Sequence, residues 1–202
     1  MIAAMSNEYS DVRQHILDTA KPIILGKGFS AVGLNELLAE AGVPKGSFYH
    51  YFKSKELFGE ALLDSYFADY QARLDALLKH GQGTAAQRLM GYWTTWLETQ
   101  SSEGAEGKCL AVKLGGEVSD LSEAMRTALH NGTQRIIEAL ADCISDGGKD
   151  GSLLVQTDSR NTALTLYSLW LGATLLTKIR RDRSALEAAL TATQSLLSLP
   201  AS

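Results

Sequence analysis

Lys45-Gly46-Ser47-Phe48-Tyr49-His50-Tyr51-Phe52-Lys53-Ser54-Lys55 holds three lysines, one histidine and no acidic residue. Pro44 stands before it with a fixed φ that suits the first position of a helix, so a short helix is predicted over 45–52. Ser54 then caps a long helix beginning at Lys55. Upstream, Leu34, Leu37, Leu38 and Ala41 define a second short helix. Gly33 caps it, Glu36 in its first turn suits the positive end of the dipole, Gly42 ends it and Val43 plugs the core. Helix, tight glycine-containing turn, helix is the pattern whose second member lies in the DNA major groove.

Working outward, Val12, Ile16, Ala20, Ile23 and Ile24 mark an amphipathic helix over 10–27 that stops at Gly28. Pro22 lies inside it and predicts a kink near 18–22, with a split into two helices as the alternative. Downstream, helices are expected to about 78 and over 85–99, 108–118, 121–145, 158–181 and 184–197. Gly81 and Gly83, a 101–107 loop, and Gly147, Gly148 and Gly151 supply the breaks. Alternating apolar and polar runs of strand length are absent from the sequence. The expected fold is all-α: an N-terminal three-helix head, drawn as residues 9–69, and a C-terminal helical bundle that dimerises, residues 70–202.

With 45% hydrophobic and 21% charged residues, the chain can bury a core. Its longest strongly apolar stretch, 163–176, is too short for a bilayer span, and residues 1–10 carry no secretion pattern, so a cytoplasmic, non-membrane protein is expected. Cys109 and Cys143 are too few for a disulfide framework. Neither a cofactor nor a bound metal is expected. The net charge of −4 excludes a protein that coats nucleic acid everywhere, yet residues 1–55 carry six Lys and Arg against five Asp and Glu. A small basic patch on an acidic body is the footprint of local phosphate contact.

Taken together, Gly28-Phe29, the 34–38 segment, Ala41-Gly42-Val43 and the 45–58 run resemble the TetR family of bacterial regulators. Lys108-Cys109-Leu110-Ala111-Val112-Lys113-Leu114, Glu117-Val118, Asp120-Leu121-Ser122-Glu123 and the 166–173 segment are similar to its NemR-type, electrophile-responsive subgroup. Lys108 stands where that subgroup usually has glycine before the cysteine. The resemblance implies a homodimer on palindromic double-stranded operator DNA, repression rather than activation, and release by a small-molecule or electrophile inducer.

Candidate DNA contacts are Lys45, Gly46, Ser47, Tyr49, His50, Tyr51, Lys53 and Lys55, with Asn35 added by the resemblance. Gly46 has no side chain to hold the helix away from the sugar-phosphate wall. Phe48 and Phe52 read as core. The candidate sensor is Cys109, expected in the first turn of a helix beside Lys108 and one turn before Lys113, an environment that favours a thiolate. Lys178 is a further cation if its helix packs nearby. Cys143 continues a core stripe with Ile136 and Leu140.

Tyr66, Tyr70, Tyr92, Trp93, Trp96 and Trp170 are candidate pocket walls, with core filling as the plainer reading. Leu166, Leu169, Trp170, Gly172, Ala173, Leu176, Leu186, Leu190 and Leu197 form the expected dimer face. The rivals are a TetR-like repressor of an efflux pump induced by a noncovalent ligand, a thiol-dependent enzyme, and a helical adaptor for an acidic protein. His15, His50, His80 and His130 stand in no recognisable nucleophile-base motif, so enzyme activity is not expected.

Overall fold

The computed structural model describes residues 2–102, 108–154 and 158–198, with residues 2–10 described by backbone alone. Among the described residues the chain is all-helical: α1 (Ile2–Lys27), α2 (Leu34–Ala41), α3 (Lys45–Phe52), α4 (Lys55–Leu78), α5 (Ala85–Ser101), α6 (Leu110–Val118), α7 (Glu123–Asp150), α8 (Ser159–Arg180) and α9 (Ser184–Leu196). These form two compact units, residues 1–67 with 113–132, and residues 68–112 with 133–202. A single division near residue 69 was expected; packing instead draws 113–132 into the first unit.

In the first unit, α1 starts eight residues before the expected Ser10 and remains one helix through Pro22. Ile16, Leu17, Ala20 and Ile24 are buried along it. The α1 helix stops where Gly28 turns to φ +94°, and α2 ends where Gly42 adopts φ +64°. Both are left-handed positions that an L side chain resists. Pro44 is the cap before α3, not its first residue. Val43 is half-buried, so it plugs less of the core than expected.

Polar groups fix the turn between α1 and α2. Lys55 Nζ donates to the carbonyls of Phe29 (3.1 Å) and Val32 (2.7 Å) and stands 4.9 Å above the Phe29 ring. The expectation that Lys55 clamps DNA is corrected here, because its ammonium is turned inward onto carbonyls that have no helical partner. From the other side, Glu117 accepts from the Phe29 amide (3.2 Å) and the Ser30 amide (2.6 Å). Burial pushes the Glu117 carboxyl up, but the Ser30 and Phe29 donors outweigh it and leave the pKa below the ordinary value. This tie holds at neutral pH and is lost only as pH falls through that lowered pKa.

The second unit is built around indole rings. Trp93 and Trp170 are fully buried and stack with centroids 4.8 Å apart and planes 17° from parallel. Trp96 Nε1 donates to Thr174 Oγ1 (2.8 Å) and Trp170 Nε1 to Thr193 Oγ1 (2.9 Å), which join α5 to α8 and α8 to α9. A Thr84–Gln87 capping box starts α5 and Asp158 caps α8 through the Asn161 amide.

Two expected helix boundaries fail here for physical reasons. Gly147 and Gly148 were read as a break, yet α7 continues to Asp150. Leu153 folds back onto Gly147, with a 3.1 Å amide bond to its carbonyl, and Asp150 accepts from the Ala85 amide. Tertiary contact outweighs the weak helix propensity of glycine. At the other end, α7 starts at Glu123 because the Ser122 hydroxyl caps the Met125 amide, leaving Leu121 outside. Of the expected 101–107 loop, residues 103–107 lie outside the described residues.

Substitution effects follow. A Cβ at Gly132 would come within 2.2 Å of the buried Phe67 ring, whereas one at Gly148 meets nothing within 4 Å. In thermal or urea unfolding, Gly132→Ala is expected to destabilise by about 1–3 kcal/mol and Gly148→Ala to stabilise by about 0.5–1 kcal/mol. Lys55→Ala is expected to cost about 1.5–3 kcal/mol through its two lost carbonyl bonds.

Candidate functional site

One face of α3 is committed to the core of the first unit. Phe48 is fully buried with its ring centroid 5.2 Å from Phe52 and 5.4 Å from Phe58, and Phe52 and Phe58 meet edge-on at 5.1 Å. The Arg13 guanidinium covers Phe52 at 5.3 Å. Because Phe48 and Phe52 are four residues apart, the opposite face must point outward. It carries Gly46, Tyr49 and His50, all exposed, with Tyr49 48% accessible, while Lys45 is exposed as the first residue of the helix and Lys53 is exposed just after its end. Ser47 and Tyr51 are half-buried at its edges, and His50 meets Tyr51 edge-on at 5.2 Å.

Gly46 has nothing within 4 Å of the place a side chain would occupy, so the backbone of α3 is bare there. Asn35 is exposed on α2. Lys53 follows α3 at φ +60°, a conformation that costs a non-glycine residue about 1 kcal/mol or more. The chain turns there and Ser54 Oγ accepts from the Leu57 amide to start α4. The strain turns the chain sharply into α4 directly after the exposed face. The backbone conformation at Lys53 is not legible in the sequence, because lysine carries no preference for positive φ.

The second unit contains a cavity of about 180 Å³, lined by Tyr70, Arg73, Leu74 and Leu77 of α4, Tyr92, Thr95, Trp96, Thr99 and Gln100 of α5, and Cys109. Three of the six expected aromatic walls are present: Tyr70, Tyr92 and Trp96. Trp93 and Trp170 are instead spent on each other in the core, and Tyr66 belongs to the first unit, where it packs on Phe67 and receives the Lys21 ammonium. The hydroxyls of Tyr70 and Tyr92 are 2.7 Å apart. Burial pushes both hydroxyl pKa values well up, so both remain neutral near pH 7.

Cys109 is only 7% exposed and stands one residue before α6, not within its first turn. Its amide donates to Gln100 Oε1 at 3.3 Å. Lys108 donates from Nζ to the Gln100 and Ser102 carbonyls at the end of α5. Burial, followed by repulsion from Lys178, lowers the Lys108 pKa, which places the exposed Lys178 within electrostatic reach of Lys108. Lys113 was expected to support the thiol from one turn along. Its ammonium is taken by the Gly26 carbonyl at 3.0 Å, so that expectation is corrected. Cys143 is buried against the Ala85 carbonyl with Ile136 and Leu140, and burial pushes its thiol up to about 11.

The expected dimer face divides. Leu166, Trp170, Ala173, Leu186 and Leu197 are buried inside the chain and cannot meet a second copy without unpacking, which corrects their assignment. Gly172 and Leu176 are exposed and Leu169 and Leu190 half-buried. Leu164, Leu175 and Ile179 share the exposed outer face of α8 and were not anticipated. Apolarity all round α8 hid which stripe its own chain uses. Among the described residues no helix is long and apolar enough to cross a membrane, and no group of three or more His, Cys, Asp or Glu converges to hold a metal.

Known proteins match both parts of the chain. The family of bacterial regulatory proteins, tetR family, matches residues 16–62, and the tetracyclin repressor-like C-terminal domain matches residues 85–193. The HTH-type transcriptional repressor NemR of Escherichia coli K12 is 42% identical over 191 residues, covering 95% of this chain and 96% of that protein. The HTH-type transcriptional repressor DhaR of Mycobacterium sp. GP1 is 33% identical over 180 residues, covering 89% of each. The crystal structure of the reduced form of E. coli NemR superposes with a TM-score of 0.89 at 43% identity, covering 95% of this chain and all of that one. The chain belongs to the TetR family of bacterial helix-turn-helix regulators and is a NemR-like transcriptional repressor.

Proposed function

We propose that the chain represses transcription as a cytoplasmic homodimer, inserting α3 of each copy into a palindromic operator and letting go when a small reactive molecule modifies Cys109. The observation that carries the DNA half is the outward face of α3. It exposes Tyr49 and His50 beside the bare backbone of Gly46, with the exposed Lys45 at the start of the helix and the exposed Lys53 directly after its end. Lysines and hydroxyls on a helix held this way meet phosphates while the helix start enters the groove. Asn35, Ser47 and Tyr51 flank that face; Lys55 is left out because its ammonium serves the turn.

A second copy is best received by the exposed stripe of α8, Leu164, Leu175, Leu176 and Ile179 with Gly172 between them. A two-fold axis there makes the operator palindromic, with half-sites about 34 Å apart or a multiple of it.

Cys109 supports the sensor half because it opens onto the cavity and stands at the N-terminal end of α6, where the helix dipole favours negative charge. The last turn of that same helix carries Glu117, which holds the turn after α1. Repacking the start of α6 therefore bears on a segment that anchors the helix-turn-helix. Emptying a nearly full operator requires about 5 kcal/mol of preference for the released form, within reach of a covalent adduct in a packed cavity. The cavity also supports the reading of a noncovalent inducer. No histidine is among the residues lining it, and the relatives are transcriptional regulators, which supports regulation over catalysis.

On a duplex drawn from the DNA flanking its gene, Lys45→Ala and Tyr49→Ala are each expected to weaken binding at least tenfold in fluorescence anisotropy. Lys45→Ala should also reduce the slope of log affinity against log salt by about 1. Unchanged affinity in both variants removes α3 as the interface. Cys109→Ser should keep operator affinity and lose release by maleimide; release that persists in this variant assigns induction to noncovalent binding. In the folded chain at pH 8, mass spectrometry should find Cys143 unmodified while Cys109 reacts.

A further inference from the structure

Among the described residues, Arg73 is the only basic or acidic side chain that lines the cavity. Its guanidinium stands 5.7 Å from the centre of the Tyr70 ring, and no carboxylate of the described residues forms an ion pair with it. Burial pushes the Tyr70 hydroxyl pKa up, while the Tyr92 bond and the Arg73 charge draw it partly back, so that charge reaches the hydroxyl pair. The lining is graded in exposure. Arg73 and Thr95 are exposed, whereas Leu74, Tyr92, Trp96 and Cys109 are buried. The cavity therefore runs from a cationic mouth to an apolar, aromatic end. An arginine in open water needs no partner, but one at the rim of an apolar cavity without carboxylates is a counter-ion offered to whatever enters.

We propose that this cavity binds a compact organic acid noncovalently, with its carboxylate on Arg73 at the mouth and its apolar body against Leu74, Tyr92 and Trp96. The proposal deepens the noncovalent reading of the cavity and does not require Cys109 to be modified. A planar guanidinium fork matches a planar carboxylate in two parallel hydrogen bonds. One cation balances one negative charge, which favours a monocarboxylate over a phosphate ester or a diacid. The volume sets the size of the body. A cavity of about 180 Å³ admits one six-membered ring, since one of about 150 Å³ already holds benzene, and the carboxylate then falls at the open end. Because Cys109 lines the same space, an occupant also covers the thiol. The acid and a thiol reagent therefore exclude one another.

The test titrates the full chain by calorimetry with benzoate and with benzamide, which has the same shape and no charge. Benzoate is expected to bind with a dissociation constant of about 1 mM or tighter, and benzamide about tenfold more weakly. Arg73→Met keeps the stem and removes the charge at an exposed position, so its melting temperature should stay level. It should weaken benzoate about tenfold and leave benzamide within about twofold. No saturable benzoate binding, equal affinity for the two compounds, or an Arg73→Met variant that binds benzoate unchanged overturns the proposal. Benzoate at about ten times its dissociation constant should slow methyl methanethiosulfonate at Cys109 severalfold, read by peptide mass spectrometry; an unchanged rate puts the acid elsewhere and also overturns it. Cys109→Ser should bind benzoate as the unaltered chain does, which separates this inference from the thiol's signalling role. A Cys109 inert to the reagent in the free chain removes that role, and calorimetry with Arg73→Met then decides this inference alone.

Discussion

With Phe48, Phe52 and Phe58 packed ring to ring, α3 has one orientation available to it. A two-turn helix has too few backbone bonds to persist alone in water, so burial of two phenyl rings supplies much of its reason to exist. That burial also decides which residues face outward. Tyr49 and His50 are exposed because they lie on the side that the rings leave unused, with Lys45 and Lys53 exposed at the two ends of the helix. The Arg13 guanidinium over Phe52, and the Lys55 ammonium on the Phe29 and Val32 carbonyls, brace the same small core from α1 and from the turn after it.

The head was legible in the sequence because each decision there is local. Gly28, Gly33, Gly42 and Ser54 stop and start helices by rules that need only neighbouring residues, and α2 and α3 lie where those rules put them. Lys55 was misread because its type and position fit a phosphate contact equally well; only the fold reveals that two carbonyls 23 and 26 residues upstream take its ammonium. Lys113 was misread in the same way, through helical spacing that ignored the Gly26 carbonyl.

The second unit resisted the sequence more strongly. Trp93, Trp96 and Trp170 look equivalent as residues, yet Trp93 and Trp170 stack in the core while Trp96 turns one face to the cavity. Leu166 and Leu176 are equally apolar on one helix, and only packing against α5 and α9 makes the first internal and the second exposed. Composition states that a surface must be covered; it does not say by what. The α7 extension through Gly147 and Gly148 belongs to the same class, since Leu153 acts from beyond the helix and Asp150, its last residue, is held by the Ala85 amide of another helix.

The depth at which Cys109 lies bears on time as well as on selectivity. At 7% exposure Cys109 offers little open surface for a tripeptide or the thiol of another protein to approach. An adduct formed there would be shielded from the bulky nucleophiles that ordinarily strip such groups away. On the proposed sensing role, recovery would then await fresh copies of the chain, and the response would outlast its stimulus, ending at the pace of growth and resynthesis.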